Sequence, residues 1–311
     1  MCTSLSIPTH DGRHLFGRTL DLDAHFGEVV TLTPRRYPFS FRDCYPLTRH
    51  YALLGMATTV DGYPLYAEAM NEKGVCMAGL RFAKSAVYAP APCEGRVNLA
   101  PWELIPYLLS TCATLYEVRN ALEDISIWDK PFSDTVGTAP LHWHVVDADP
   151  DHGGLILEIT SAGMRIYPDE AGVLANEPPY PDQLNRLSSL PYLRGDAVGL
   201  PGDYSSPSRF LRAATLRRWW MERGRTCTGE AEGGGDFPLS QFFTVLGAVS
   251  PTAGAVMTPA GGCHRTLYTC CMDTGKGIYY YRTEGEAAVS SVSFEGLDLN
   301  GERLWTAASQ G

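Results

Sequence analysis

Met1-Cys2-Thr3-Ser4-Leu5-Ser6-Ile7-Pro8 opens the chain, and Gly17-Arg18-Thr19-Leu20-Asp21 follows a turn at Asp11-Gly12. Cys2 is chemically the sharpest residue of this stretch. Methionine aminopeptidase removes Met1 readily when the next side chain is as small as cysteine. The chain would then begin with a thiol nucleophile and a free α-amine on one residue. An α-amino group titrates at about 7.7–8.0, near working pH and far below a lysine. It can take the thiol proton, as an N-terminal amine activates a threonine nucleophile. Arg18 offers positive charge to a thiolate, and Asp21 offers an anchor for the ammonium. Each feature also has an ordinary reading: the second residue of a loose terminus, and an Arg–Asp surface pair of little energetic value.

Working outward, the 311 residues are 44% hydrophobic and 19% charged, enough apolar material for a sizeable core. Their length fits two domains or one large layered domain equally well. The formal net charge of −10, from 25 Lys+Arg against 35 Asp+Glu, argues against a nucleic-acid partner, which needs a basic footprint. No stretch approaches 18 uninterrupted apolar residues, so no membrane span is expected. The first residues carry no basic region followed by an apolar core, so they do not read as a signal peptide, and a cytoplasmic location is the expectation. Nine cysteines, an odd number, and no CxxC pair argue against a disulfide framework and against a cysteine zinc site. Adjacent Cys270 and Cys271 read as packing residues on opposite faces of a strand.

Strand signals dominate. Leu141–Val146 and Gly154–Ile159 flank a polar turn as a hairpin, and Met164–Tyr167 extends it. Thr266–Met272 and Gly277–Arg282 form a second hairpin, and Met77–Phe82 follows a turn at Lys73-Gly74. Helices are predicted over Trp102–Leu109, Thr114–Leu122, Ser208–Arg223 and Ser240–Leu246. The second opens with Thr114 and Glu117, a capping-box pattern. Cys227–Asp236 reads as a surface loop. Helices clustered between hairpins predict an α+β layered fold rather than βαβ alternation.

Two patterns imitate metal sites. Asp147-Ala148-Asp149-Pro150-Asp151, with Glu158 further on, resembles a calcium loop, but its sixth position is His152 and it joins two strands. It reads as a hairpin turn. His142 and His144 share one strand face with Trp143 opposite. No third ligand is evident, so they read as packed rather than chelating. No metal or other cofactor is expected.

The chain resembles the choloylglycine hydrolase family of N-terminal-nucleophile amidases, which contains conjugated bile salt hydrolases and penicillin V acylases. The resemblance rests on Met1-Cys2-Thr3 with Phe16-Gly17-Arg18-Thr19-Leu20-Asp21, on Asn71-Glu72-Lys73-Gly74 then Met77-Ala78-Gly79-Leu80, and on Trp102-Glu103-Leu104-Ile105-Pro106. It continues through Leu174-Ala175-Asn176-Glu177-Pro178, Gly199-Leu200-Pro201-Gly202-Asp203-Tyr204-Ser205-Ser206 with Ser208-Arg209-Phe210, and Lys276-Gly277-Ile278-Tyr279-Tyr280-Tyr281-Arg282-Thr283. The blocks are ordered and span almost the whole chain.

The resemblance implies one domain spanning 1–311, a four-layer αββα sandwich of two antiparallel sheets between helix layers. It implies hydrolysis of a linear amide through an acyl-thioester on Cys2, most like a conjugated bile salt hydrolase. Within the class the alternatives are a penicillin V acylase or another N-acyl amidase, such as one acting on acyl-homoserine lactones. From another class comes a non-catalytic binder of bile acids or acyl chains. Carried over, Cys2 is nucleophile and base, Arg18 and Asp21 flank it, and Asn176 supplies a side-chain N–H to the oxyanion hole. Arg209 is the distal member of the polar network. The second oxyanion donor is the backbone N–H of residue 81. That residue is Arg81 here, where bile salt hydrolases usually have Asn and penicillin V acylases tend to have Tyr. Loops Leu20–Gly27, Thr58–Tyr66 and Trp128–Ala139 are similar to the family's pocket loops. They nominate Leu20, Leu22, Phe26, Tyr63, Tyr66, Trp128, Phe132 and Val136 as the apolar acyl wall. Relatives are commonly homotetramers, so a homo-oligomer is expected.

Overall fold

The computed structural model describes residues 1–9, 11–190, 199–224 and 239–307. The Cys227–Asp236 loop, with its cysteine, lies outside them.

In chain order the first strands are β1 (Cys2–Pro8), β2 (His14–Leu22), β3 (Val29–Thr33), β4 (Leu53–Val60), β5 (Tyr63–Asn71), β6 (Cys76–Arg81) and β7 (Val97–Leu99). Helices α1 (Leu104–Thr111) and α2 (Leu115–Asp124) follow, then β8 (Ile125–Ile127), β9 (Leu141–Val146), β10 (Gly154–Thr160), β11 (Gly163–Pro168) and β12 (Val173–Ala175). The remainder is α3 (Tyr180–Ser188), α4 (Ser206–Trp219), α5 (Leu239–Gly247), β13 (Val256–Met257), β14 (Cys263–Asp273), β15 (Ile278–Thr283), β16 (Ser290–Ser293) and β17 (Trp305–Thr306).

Two antiparallel sheets carry the fold. One runs β12-β1-β2-β14-β15-β16, with β13 paired to β14. The other runs β11-β10-β9-β6-β5-β4-β3-β17. Helices α3, α4 and α5 cover the first sheet through a core that includes Leu5, Tyr180, Phe210 and Phe242. Helices α1 and α2 cover the second through Leu104, Leu108, Val118, Met77 and Trp143. This is the αββα sandwich that the resemblance implies. Alternation sorts the strands: His142 and His144 face the other sheet, while Trp143 between them packs under the helices.

Both expected hairpins form, and β11 adds the third strand. Gly74 has φ +88°, a conformation open to glycine. Gly17 serves closeness instead: a Cβ there would stand 1.9 Å from the Cys270 carbonyl oxygen across the β2–β14 pair. Cys270 and Cys271 are fully buried, on opposite faces of β14.

The helices differ from expectation at their ends. The segment over Trp102 starts as a 3-10 turn, Pro101–Glu103, before α1. Thr114 caps α2, accepting from Glu117 N, but the Glu117 carboxylate reaches back to Ala113 N rather than to Thr114. Helix α4 loosens into a π-helical turn at Trp220–Gly224. The Asp147–His152 stretch is a hairpin turn. Buried Asp147 accepts hydrogen bonds from Leu115 N and Asp149 N, and it faces His152.

Candidate active site

Cys2 sits at the start of β1, between β12 and β2 in the first sheet, and is only 4% exposed. Its neighbours come from both sheets and from α4. Strand β1 pairs with β2 so that Cys2 lies opposite Leu20 and Ser4 opposite Arg18. Even-numbered residues of both strands therefore face the second sheet, and odd-numbered residues face the helices. Ser4 meets His144 across the gap, and Thr3 meets Arg209 of α4.

Arg18 crosses between the sheets. Its Nη1 donates to Gly79 O at 2.6 Å and Ala67 O at 3.3 Å, where β5 and β6 have parted after the Glu68–Ala78 pair. Its Nε donates to Thr19 O and lies 3.7 Å from Glu68. Burial alone would lower its pKa. The Cys2 sulfur, Tyr268 and Glu68 outweigh burial and hold the guanidinium firmly charged. Nη2 has no hydrogen-bond partner. Glu68 is itself pushed up by burial, against Arg18 and two phenolic donors, Tyr268 at 2.8 Å and Tyr279 at 2.6 Å.

Asn176 follows β12 directly. Its Oδ1 accepts from Cys2 N at 2.8 Å and from Arg209 Nη2 at 2.7 Å. Two donors on one atom fix the amide's orientation. Its Nδ2 donates to Arg81 O at 2.9 Å, leaving the amide's second N–H uncommitted. Arg209 is fully buried and also donates to Cys2 O, Thr3 Oγ1 and Tyr204 O. It stands in contact with Cys2 and Asn176 rather than at a distance from them. The Asp203–Ser208 stretch prepares it. Ser205 caps α4, and Asp203 binds Ser205 N and Ser208 Oγ, which draw its carboxyl down to about 2.

Asp21 is buried at the end of β2. Its carboxylate accepts from Thr19 Oγ1 at 3.1 Å and Thr266 Oγ1 at 2.7 Å. The terminal amine of Met1 hydrogen-bonds its main-chain oxygen, and Asp21 N donates to Met1 O at 2.9 Å. Burial lowers the pKa of that amine, with Cys2 and Asp21 opposing.

Arg81 ends β6. Phe82 N donates to Pro140 O, so residues 82 and 80 make the ladder bonds to β9, and Arg81 N–H and C=O point away from β9. The carbonyl points to Asn176, and the N–H shares that direction.

A cavity of about 410 Å³ opens beside Cys2 where β5 and β6 part. Of the residues expected from the sequence, Leu20, Leu22, Phe26, Tyr66, Phe132 and Val136 line it, with Cys2, Arg18 and Arg81. Phe26 at 39% and Val136 at 37% exposure form its rim. The Tyr66 hydroxyl is turned away to Thr33, leaving its ring to the cavity. Tyr63 and Trp128 are not brought to the wall. Tyr63 stands behind it, its ring 5.1 Å from Trp102 and 6.0 Å from Phe132. Lys130 covers the ring of Trp128 instead. Trp102 and Ile105, which the sequence pattern assigns to a helix, also line the cavity, as do Gly79 and Leu141. Trp102 fastens the loop above it, donating from Nε1 to Lys130 O and packing edge-on against Phe132. The block Trp102–Pro106 carried the only signal for them.

The residues around Cys2 are tied back into the fold. His144 bridges Ser4 at 2.8 Å and Asp169 at 2.9 Å, and Asp169 also accepts from Ser6 and Gly172 N. His142 meets Glu158 at 3.1 Å, stacked on Phe82, and Glu158 accepts the amide N–H of Tyr180.

Residues 2–307 match the family of linear amide C–N hydrolases known as the choloylglycine hydrolase family. A bile salt hydrolase/transferase from Lactiplantibacillus plantarum is 37% identical over 98% of this chain and 94% of that protein. The crystal structure of the C2A mutant of the conjugated bile acid hydrolase from Clostridium perfringens superposes with a TM-score of 0.90. It is 30% identical and covers 98% of this chain and 96% of that one. Penicillin V acylase from Agrobacterium tumefaciens shares the fold at a TM-score of 0.76 and 19% identity, over 98% of this chain and 90% of its own. The chain belongs to the choloylglycine hydrolase family of linear amide C–N hydrolases.

Proposed function

We propose that this protein hydrolyses the amide bond of conjugated bile salts through an acyl-thioester on Cys2. The observation that carries this reading is the placement of Cys2 at the edge of an apolar cavity of about 410 Å³, ringed by Arg18, Asn176 and Arg209. The named activities of the full-length relatives support it.

The chemistry follows from the geometry. Removal of Met1 makes Cys2 N the α-amine, held by Asn176 Oδ1. Burial pushes the Met1 amine one residue upstream toward its neutral form; the Cys2 amine, released beside Asn176 Oδ1, acts as base. It takes the thiol proton, and the thiolate attacks the amide carbonyl. The Arg18 charge lies beside the sulfur. The oxyanion forms against the free Asn176 N–H and the Arg81 backbone N–H, preorganised donors that need no reorientation during reaction. The ammonium returns its proton to the leaving amine as the C–N bond breaks. Water, deprotonated by the same amine, then attacks the thioester and releases the acid and the Cys2 thiol. Arg209 and Asp21 position the residue, one through Cys2 O and Asn176, the other at the chain start. The rings of Phe26, Tyr66, Trp102 and Phe132 suit an acyl group of steroid size.

Product analysis on glycine- and taurine-conjugated bile salts beside penicillin V tests the reading. We expect free bile acid from the conjugates, an acyl adduct in intact-mass spectra, and loss of both in Cys2→Ala. The active species lacks Met1. Full turnover by Cys2→Ala, or by a homogeneous preparation retaining Met1, overturns the mechanism. Exclusive cleavage of penicillin V overturns the substrate.

A further inference from the structure

The cavity wall has an uneven charge. It includes two arginines and no aspartate or glutamate. Arg18 is buried and engaged with Gly79, Ala67 and Thr19. Arg81 is exposed, and among the described residues its guanidinium has no hydrogen-bond or ion-pair partner. Its backbone, by contrast, is pinned. Arg81 O accepts from Asn176 Nδ2, and the same amide holds Cys2 N. The side chain therefore springs from a point two hydrogen bonds from the nucleophile. Alternation along β6 puts it on the face of Gly79, opposite buried Leu80, and both Gly79 and Arg81 belong to the wall.

We propose that Arg81 is the specificity-determining residue for the amine half of the substrate. It pairs with a carboxylate or sulfonate carried one or two carbons from the scissile nitrogen. This rests on the amidase reading above. Two features favour the amine half over the acyl half. The charge sits at the reacting end, and the rest of the wall, from Leu65 to Phe132, offers an acyl group apolar contact. A guanidinium matches both oxyanions by its planar fork.

The test compares a glycine-conjugated bile salt with the ethanolamide of the same bile acid, which keeps the length and drops the charge. The readout is the charged-to-neutral ratio of kcat/KM in wild type, R81M, R81K and R81E. Because each ratio is taken on one preparation, any loss of folded protein cancels. The ratio should fall several-fold in R81M, fall further in R81E and recover in R81K. In wild type it should shrink as salt rises, since the pair is solvent-accessible. A ratio constant across the four proteins, with both amides hydrolysed, overturns the assignment of Arg81 while leaving the amidase reading intact. Failure of wild type to hydrolyse either amide removes the amidase reading, and this proposal with it.

Discussion

The cavity has a polar end and an apolar end, and they are built by different means. At the polar end Cys2, Arg18 and Asn176 stand on or directly after β1, β2 and β12, three neighbouring strands of the first sheet, and Arg209 stands on a capped helix. Three side chains are fixed by hydrogen bonds to backbone carbonyls, Arg18 on Gly79 O, Asn176 on Arg81 O and Arg209 on Cys2 O, and Asn176 Oδ1 in turn holds Cys2 N. At the other end Phe132 and Trp102 form a small satellite cluster with Ala100 under a loop, and Phe26 and Val136 are exposed at the rim. Chemistry needs atoms held to a fraction of an ångström, and paired strands supply that. Binding an apolar body needs only contact area, which a loop with aromatic side chains supplies.

The sharpest way to break the comparison is Asn176→Ala. The amide links Cys2, Arg209 and Arg81, so its removal disturbs the polar end alone. The proposed mechanism makes its free N–H an oxyanion donor, so its loss should lower kcat by about 10²–10³, with KM little changed. An effect confined to KM, measured by initial rates across substrate concentration, would show that Asn176 only holds substrate.

Phe132→Ala addresses the other end and should act oppositely. Its ring lines the cavity and packs edge-on against Trp102. Losing part of an aromatic contact, about 1.5 kcal/mol, raises KM for bile salts about tenfold. Labelling of Cys2 by iodoacetamide should proceed at the wild-type rate. An equal loss in kcat would show that the two ends are mechanically coupled.

The same division governs what could be read from the sequence. Cys2, Arg18 and Asp21 were legible because reactive and charged groups cluster within twenty residues of the terminus. Asn176 and Arg209 were not legible from local pattern. They lie 33 positions apart, at the end of a three-residue strand and inside a helix, and only the family resemblance placed them. That Asp21 meets the terminal amine through its main-chain oxygen, and spends its carboxylate on Thr19 and Thr266, depends on register with β14. The hairpins were legible because their alternation is local. The β6–β9 pairing that seats Arg81 spans 60 residues and has no local signature. Trp102 and Ile105 read as helix core because a buried apolar residue looks the same whether protein or ligand covers it.

Strand β1 is also tied through Ser4 and His144 to the buried Asp169 carboxylate, whose contribution a pH experiment isolates. Burial would raise the pKa of Asp169. His144, Arg217 and Ser6 outweigh it and draw the carboxyl from 3.8 to about 2. A carboxylate depressed on folding contributes stability above its unfolded pKa. That contribution is lost as pH falls from about 4 to about 2. The shift corresponds to roughly 2 kcal/mol. Asp169→Asn should therefore lower denaturant stability by about that amount at neutral pH, and flatten the acid limb of stability against pH in that window. An unchanged acid limb would mean that the His144–Asp169 pair contributes packing alone.

Smallest of all should be the effect of Trp128→Phe. The pocket loop that carries Trp128 also carries Phe132 and Val136, yet Trp128 stands off the wall under Lys130, and its indole Nε1 has no hydrogen-bond partner. Replacing the indole by a phenyl ring removes a buried donor that binds nothing and keeps an aromatic face for the lysine, so stability should change little. Kinetics should stay within about twofold of wild type in both kcat and KM, well under one tenfold step of 1.4 kcal/mol. A KM shift as large as that of Phe132→Ala would show that the loop rotates on binding and brings Trp128 to the substrate. The apolar end would then be an adjustable wall, and the contrast with the strand-held polar end would widen from a difference in precision to one in motion.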